Sequence, residues 1–335
     1  METLFKQLAQ EVKTTYTLEK DDFDIPVLPQ AQCIVIPIVR ETIAPLLIRN
    51  NDADMVTDMF AADKLRVRMI ASKNKGVEKR RGNQILRSLG VGGKTAANKA
   101  YIKKQASEVF DLNTFVFGDS ANGAGKAIYP VHAAVLYSDA LSVQGLDQPL
   151  IDNAFRQGGI SEEYVNFDAQ THKTSSNIFT TRAVLPGTLF VQSLVMIGKR
   201  MTPAAFKHLL LSIGMAGCYG GATATTGTNL KTHLCGVYWG AFERGINAPQ
   251  EMLTALGDEP KPMVTNIVDK LQHIFGEVYQ NAISAQVLTA YVEKRVTDFE
   301  ANDTVLIDEY REASEQMKQL FDAWFTPPSK QGKKK

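Results

Sequence analysis

The chain has 335 residues, with 37 Lys and Arg against 36 Asp and Glu, so its formal net charge is only +1. Apolar residues make up 44% of the chain, which is enough for a sizeable core and excludes disordered, collagen-like and disulfide-stapled small proteins. The length fits either one large domain with insertions or two smaller domains.

The cysteines and the apolar runs predict the compartment. Cys33, Cys218 and Cys235 do not form the C-x-x-C spacing of a zinc site or a redox pair, so we expect free thiols. Residues 1–10 lack the basic head and apolar run of a signal peptide, and no apolar stretch reaches the roughly 20 residues that span a bilayer. We therefore expect a cytoplasmic protein with no membrane partner.

The first elements are a helix and a hairpin. Residues 1–16 have the apolar spacing of an amphipathic helix. Residues 33–39 are continuously apolar and rich in β-branched side chains, which predicts a buried central strand, and 43–48 is its expected partner.

Positive charge is concentrated in one segment. Residues 64–104 hold thirteen cations and one acid, Glu78, for a net charge of +12, whereas the rest of the chain carries −11. Cations and apolar residues alternate over 64–69, which predicts a strand with Lys64, Arg66 and Arg68 on one face. Residues 77–89 and 95–108 fit basic amphipathic helices.

A solvated surface normally intersperses acids among its cations, and this segment does not. The imbalance favours a polyanionic partner over a plain surface, and nucleic acid is the obvious candidate. Because helix-turn-helix and C2H2 spacings are missing, we expect contacts to the phosphate backbone, without reading of bases.

The remaining elements predict an α+β fold: an antiparallel sheet with helices on one side and large insertions. The polar segment 157–185 suits an extended hairpin or a mobile arm, and the tail 326–335 suits disorder. The other predicted strands are 113–117, 131–137, 189–197 and 232–239, and the other predicted helices are 202–215, 263–294 and 303–324.

Three candidate chemical sites are weak. Residues 120–127 lack two of the four fixed positions of a phosphate loop, and the five histidines show no metal-ligand spacing. Asp52, Asp54 and Asp58 could hold a divalent ion for nuclease chemistry, although a solvated acidic loop is the commoner explanation. We expect no catalytic residue, no metal and no cofactor.

The Gly- and Thr-rich segment 214–231 is more informative. Its glycines allow close approach of a ligand to the backbone, and its threonines offer short donors for phosphate or ribose oxygens. Tyr219 could stack on a base, and Lys231 adds charge. This segment predicts a binding loop, whereas the alternative is a glycine-rich turn packed on the sheet.

Residues 219–227, Tyr-Gly-Gly-Ala-Thr-Ala-Thr-Thr-Gly, resemble a segment of the CRISPR backbone subunits of type I-D complexes, and the related type IV subunits are equally compatible. Weaker similarity in 39–42, 48–51, 115–120 and 157–185 extends the resemblance over most of residues 32–240. Cys218 and Ala224 depart from the type I-D pattern, and so does the lack of a cysteine cluster, which favours the type IV branch.

The resemblance implies a single hand-shaped domain with an RNA-recognition-motif-like (ferredoxin-like) palm and helical insertions. The basic region 64–108 would be an insertion or finger, and the thumb hairpin would lie in 157–185. The implied partners are guide CRISPR RNA, target DNA or RNA paired to the guide, head-to-tail copies of the chain, and other subunits of the effector complex.

We accordingly expect RNA-binding side chains in the basic segment, in the loop and on the first hairpin, in a protein that is not an enzyme. The expected residues are Arg40, Arg49, Lys64, Arg66, Arg68, Lys73, Lys75, Lys79, Arg80, Arg81, Arg87, Lys173, Tyr219, Gly220, Gly221, Thr223, Thr225, Thr226 and Lys231. The alternatives are a metal-dependent ribonuclease that acts on target RNA and a stand-alone RNA-binding protein without a guide or an array.

Overall fold

The described part of the chain covers the sheet, the helices named below and segments of the polar arm. The computed structural model describes residues 1–9, 16–17, 24–25, 30–48, 56–94, 109–119, 131–148, 150–157, 166–168, 170, 173–175, 178–221, 223–259 and 261–325.

Strands and helices occur in unequal runs along the described part of the chain. The strands are β1 (Tyr16–Thr17), β2 (Asp24–Ile25), β3 (Cys33–Thr42), β4 (Asp58–Ala61), β5 (Lys64–Met69), β6 (Leu136–Tyr137), β7 (Ala140–Ser142), β8 (Ile151–Gln157), β9 (Asn166–Asp168), β10 (Lys173–Ser175), β11 (Ile178–Val184), β12 (Leu189–Ile197), β13 (Leu230–Leu234), β14 (Val237–Gly240) and β15 (Asn281–Ile283). The helices are α1 (Glu2–Phe5), α2 (Ala71–Ser88), α3 (Leu112–Phe117), α4 (Pro203–Gly214), α5 (Thr223–Thr226), α6 (Pro249–Leu256), α7 (Val264–Val278), α8 (Ala285–Glu300) and α9 (Thr304–Phe325).

A nine-stranded antiparallel sheet organises the fold. Its strand order is β15-β14-β3-β12-β7-β5-β4, with β13 paired to β3 and β6 paired to β12. The central strand β3 pairs with β12 from Leu189↔Glu41 to Ile197↔Cys33, which confirms 33–39 as a buried strand. The expected α+β architecture on an antiparallel sheet is confirmed.

Helices cover both faces of the sheet, so the expectation of helices on one side is wrong. Ile34, Ile36 and Ile38 point into a core shared with α2, α3 and α4. Val35 and Val39 point the other way, into a core built with α6 and α7. A strand with both faces buried carries apolar residues at every position, which explains the continuous apolar run of β3.

Glycine in the middle of α2 allows this helix to pack closely on α3 and α4. A Cβ at Gly82 would lie 2.0 Å from Oδ1 of Asn113 and 2.8 Å from Nε2 of His208. Asn113 donates from Nδ2 to the carbonyl of Lys79, 3.0 Å away, which joins α3 to the backbone of α2. Glycine at position 82 is therefore a packing requirement.

Several predicted elements differ from the structure. The segment 113–117, expected as a strand, is part of helix α3, which is buried on all sides and capped by Asp111 through a 2.9 Å bond from the Thr114 amide. A helix without an exposed face shows no 3.6-residue polar periodicity, so the pattern mimicked a buried strand.

Other differences concern boundaries. The described part of the first helix is only α1, and 43–48 contributes isolated bridges at Leu46 and Leu47 in place of a strand. Strand β15 interrupts the helical stretch expected over 263–294. Strand β12 and the α4 cap, in which Thr202 accepts a 3.2 Å bond from the Ala205 amide, agree with the predictions.

The polar arm contains antiparallel strands. Strand β8 pairs with β11 from Ile178↔Gln157 to Val184↔Ile151, and β9 pairs with β10. Pairing therefore starts at Ile151, before the expected start of the arm at residue 157.

Candidate nucleic-acid interface

Helix α2 presents cations to solvent along most of its length. It contains six cations and one acid. Lys73, Arg80 and Arg87 are exposed and seven residues apart, so they form one stripe that runs about 21 Å along the helix. The stripe therefore presents three positive charges to solvent along one side of α2.

The one acid of the basic segment does not offset this stripe. Glu78 is completely buried on the opposite side of α2. Its carboxylate accepts a 2.9 Å hydrogen bond from the hydroxyl of Tyr219 and a short one from the hydroxyl of Tyr137. The exposed side chains of α2 that carry charge are therefore all cationic.

Arg40 neutralises Glu78 inside the protein. The two side chains form an ion pair of 2.8 Å, and both are fully buried. Arg40 also donates to Gln192 Oε1 (2.6 Å), Tyr219 Oη (3.2 Å) and Thr232 Oγ1 (3.1 Å). The expectation that Arg40 contacts RNA is wrong in this fold, because protein acceptors surround its guanidinium.

Tyr219 anchors the Gly- and Thr-rich loop against α2, and it is not available to stack on a base. Its side chain is fully buried. Burial, followed by the nearby carboxylate of Glu78, raises the pKa of its hydroxyl, which therefore stays protonated and donates to Glu78. The side chain of Asn229 exchanges two hydrogen bonds of 2.8 and 2.9 Å with the Tyr219 backbone, which closes the base of the loop.

The glycines after Tyr219 serve close backbone packing. Gly220 has φ +75°, and a Cβ there would lie 2.3 Å from the carbonyl oxygen of Leu47. The amide of Gly221 donates to the same carbonyl at 2.9 Å. The part of the loop expected to approach RNA at Gly220 and Gly221 is thus seated on the neighbouring segment.

The basic face predicted for β5 is only partly exposed to solvent, because its central cation is buried. Arg66 is 3% exposed and donates to the carbonyls of Ala61 (2.8 Å), Ser142 (3.1 Å) and Val143. Burial lowers the pKa of its guanidinium. The expected RNA contact of Arg66 is therefore corrected to a structural role, because protein carbonyls surround its buried guanidinium.

The two flanking cations of β5 remain partly exposed but have acidic partners. Lys64 pairs with Asp258 and Arg68 with Asp139, each at 2.6 Å. Their charge is largely balanced in place, which distinguishes them from the stripe on α2.

A groove joins the other side of α2 to the loop. Its volume is about 930 Å³, and Arg81 and Lys231 line one part of it. The side chain of Lys231 is exposed. Asp269 and Glu293 lie in the lining contributed by α7 and α8, so this groove has mixed charge.

The outcomes for the other expected residues vary. Thr223 and Thr226 are half-buried on α5, and the side chain of Thr225 lies outside the described residues. Arg49 also lies outside them, and Lys173 is placed on β10 without a described side chain. Arg87 donates to the carbonyl of Gly93 while its side chain remains exposed.

A separate cleft lies beside α2, and the sequence predicted only some of the residues that line it. Lys75 and Lys79, one turn apart, line it together with Gly76 and His132. The lysines were expected RNA ligands, whereas no role was expected for Gly76, and His132 is one of the five histidines without metal-ligand spacing. A glycine inside a basic helix is a signal that could have identified the cleft.

The proposed metal site has no structural support in the described ranges. Asp58 lies exposed on β4, and Asp52 and Asp54 fall outside those ranges. Among the residues that the structure describes, no group of three or more His, Cys, Asp or Glu side chains could hold a metal ion. Over the same residues, no helix has the length and hydropathy needed to cross a bilayer.

Comparisons with known proteins place the chain in a family. The family described as "Csc2 Crispr" matches residues 13–321. The crystal structure of Thermofilum pendens Csc2 superposes with a TM-score of 0.59 at 14% identity, covering 90% of this chain and 92% of that chain, which shows a shared fold. A search of curated proteins found no match.

Two further solved structures are less similar, and at these TM-scores no argument rests on them. A "CRISPR RNA-guided surveillance complex, pre-nicking" gives a TM-score of 0.46 at 12% identity, covering 78% of this chain and 100% of that chain. A "Type IV-B CRISPR Complex" gives 0.40 at 14% identity, covering 60% and 90%.

The family match also decides between the two branches left open by the sequence. The preference for type IV depended on Cys218, Ala224 and a missing cysteine cluster, whereas the match extends over residues 13–321 and supports the type I-D branch. A few loop residues are weaker evidence than a pattern that spans the sheet and its helices. The chain belongs to the Csc2 CRISPR family.

Proposed function

We propose that this protein is a non-enzymatic, guide-RNA-binding backbone subunit of a CRISPR RNA-guided surveillance complex. The observation that carries the proposal is the stripe of Lys73, Arg80 and Arg87 on α2, combined with the burial of Glu78, the one acid of the basic segment. A row of cations on a helix whose one acid is buried attracts the phosphates of a nucleic acid strand without reading its bases.

The strand order supports an RNA-recognition-like palm. When the short helices α3 and α5, the arm strands β8 to β11, and β4, β5 and β15 are left aside, the chain runs from strand β3 through helix α2, strands β6 and β7, strand β12 and helix α4 to strands β13 and β14. In the sheet, β13 and β14 flank β3 on one side, and β12 followed by β6 and β7 flanks it on the other. This order supports a palm with the β-α-β-β-α-β arrangement of ferredoxin-like folds. Because α6 and α7 cover the second face of the sheet, the proposed RNA path runs along α2 and the Gly- and Thr-rich loop.

In this proposal the paired strands β8 and β11 belong to the thumb hairpin. Copies of the chain would line up head to tail along the guide, together with other subunits, while the guide pairs with target DNA or RNA. Heterologous contacts that do not close produce such an open array, and the acidic remainder of the chain can meet the basic segment of a neighbour.

The test compares two matched pairs of exposed cations. Lys73→Gln with Arg80→Gln removes charge from the stripe, whereas Lys294→Gln with Arg311→Gln removes the same charge from α8 and α9. We expect the stripe variant to bind single-stranded RNA more weakly, with a salt slope reduced by about 1.4, because each lost phosphate contact contributes roughly 0.7. The control variant should keep the slope.

A stripe variant that retains both the salt slope and the co-purifying RNA of the original protein would refute the proposal. Sequencing that RNA then distinguishes a guide subunit, which carries RNA of uniform CRISPR-derived length, from a stand-alone RNA-binding protein with a mixed population.

A further inference from the structure

A small pocket lies where the first turn of α4 meets α8 and α9. Its volume is about 190 Å³. That is several times the roughly 30 Å³ that one water occupies in the liquid, and it is below the roughly 300 Å³ at which drug-sized sites begin. Arg295 from α8, Glu309 from α9 and Lys207 from α4 line the pocket. It therefore suits a molecule of only a few heavy atoms, and it has charged groups to orient that molecule.

Arg295 lines this pocket as a buried cation. It is 7% exposed, and its Nη1 lies 2.9 Å from Oε2 of Glu309. Its Nε and Nη2 have no hydrogen-bond partner among the residues that the structure describes, and a buried charged donor without a partner is costly. These two nitrogens form the edge of a guanidinium that binds both oxygens of a carboxylate in a bidentate pair. The buried side chain therefore lacks an acceptor of that shape.

The acid beside Arg295 is shared with a second cation. Oε1 of Glu309 accepts a 2.8 Å hydrogen bond from Nζ of Lys207, while Oε2 lies next to Arg295. These three residues together carry one uncompensated positive charge. The other acid of the lining, Glu312, is exposed to solvent, which weakens its field inside the pocket. One negative charge completes the balance, whereas a doubly charged anion such as phosphate would be repelled by both glutamates.

The pocket also has an apolar wall and the positive end of a helix. Leu112, Ala204 and Ala313 form the wall. Thr202 lines the pocket as the N-cap of α4, where the amide groups of the first turn concentrate partial positive charge. A short aliphatic group fits the wall, and an anionic head fits the cations and the helix end.

We propose that this pocket binds a small monocarboxylate, with the carboxylate on the guanidinium of Arg295 and the aliphatic part against Ala204 and Ala313. The proposed RNA contact uses none of these residues, so the inference goes beyond the proposed function. A bound carboxylate would supply the missing acceptor of Arg295 and join α8 and α9 to the start of α4.

The probe for this pocket is propionate, and propionamide is the neutral control of nearly the same shape. Saturation-transfer NMR on the purified full-length chain detects the methyl protons of the bound molecule. At constant ionic strength we expect propionamide to bind at least tenfold more weakly than propionate, which corresponds to about 1.4 kcal/mol for the lost charge-assisted hydrogen bond. Equal binding of the acid and the amide, or no transfer to propionate, would overturn the proposal.

Substitutions in the lining test where propionate binds. Ala204→Leu fills the pocket, and Ala204→Ser is the matched control that leaves its volume nearly unchanged. We expect Ala204→Leu to abolish propionate binding in a protein that still unfolds cooperatively, while Ala204→Ser keeps it. Arg295→Met removes the partner of the carboxylate and should weaken binding at least tenfold. Propionate binding of the original strength in a folded Ala204→Leu variant refutes the proposed position.

Competition separates a free acid from the same group on a protein. Glutamate with an acetylated amino group and an N-methylamidated α-carboxyl carries the carboxylate on a peptide backbone. We expect it to displace propionate only weakly, because a pocket of about 190 Å³ leaves little room for the flanking peptide groups. Displacement at a lower concentration than propionate itself requires would assign the pocket to an acidic side chain of another protein and overturn the proposal.

Discussion

The Nη2 atom of Arg40 on β3 lies 2.8 Å from Oε1 of Glu78 on α2, and both side chains are fully buried. This ion pair connects the central strand to the basic helix, and Tyr219 adds the Gly- and Thr-rich loop to the same contact. Burying two charges is unfavourable unless each charge has its partner nearby. The pair therefore favours the one position of α2 relative to β3 at which the two side chains meet.

Removing one member of the ion pair between Arg40 and Glu78 should lower the free energy of unfolding far more than removing both members. We expect Glu78→Ala to lower the free energy of unfolding by about 3–5 kcal/mol, because the charge of Arg40 would stay buried without its partner. The double variant Arg40→Met with Glu78→Met should recover part of that loss. Urea unfolding of Arg40→Met, Glu78→Met and the double variant measures the coupling, and additive losses would contradict it.

Alanine substitutions at Gly82 and Gly227 compare the effect of tight packing on stability with the effect of backbone strain. Gly82→Ala should destabilise the protein even though alanine favours helices, because its Cβ would meet Asn113 and His208. Gly227→Ala should cost only about 1 kcal/mol, since φ +63° is the sole obstacle and the surrounding space is open. Thermal unfolding of both variants checks the order, and a Gly82→Ala variant as stable as the original would refute the packing argument.

His208 should make stability depend on pH. Its Nδ1 lies 3.1 Å from the hydroxyl of Tyr310, and its Nε2 lies 3.0 Å from Oδ1 of Asn113. Asn113 uses its Nδ2 to donate to Asn83, so its Oδ1 faces the histidine as an acceptor. A neutral ring satisfies this arrangement, with Nε2 donating to Asn113 and Nδ1 accepting from Tyr310.

Burial lowers the pKa of His208 from 6.5 to about 3. Between these values the unfolded chain binds the extra proton, so this contribution to stability is complete above pH 6.5 and decreases as the pH falls towards 3. We expect a loss of up to about 1.4 kcal/mol per pH unit in that range. Urea unfolding at pH 7.5 and 5.5 should show this loss, and the difference should shrink in His208→Gln.

The control for this measurement is His273→Gln, because His273 is exposed on α7. That variant should keep the full pH dependence of the original protein. Equal dependence in the His208 and His273 variants would mean that the buried histidine does not contribute.

The strands and helices with a clear periodicity could be predicted from the sequence. β12, the α4 cap at Thr202 and the α+β class follow from local patterns, because alternation and capping depend on near neighbours along the chain. Helix α3 could not be predicted in this way, since burial on all sides removes the polar face that marks a helix.

The charge asymmetry is a property of the sequence, and its spatial meaning comes from the tertiary structure. Thirteen cations against one acid in residues 64–104 indicate a polyanionic partner without any coordinates. The sequence could not show that Arg66 and Arg40 turn inward, whereas Lys73 and Arg80 face solvent. A buried cation and an exposed cation cannot be told apart from the sequence. Only long-range packing provides the buried carbonyls and carboxylates that hold some of these side chains inside the protein.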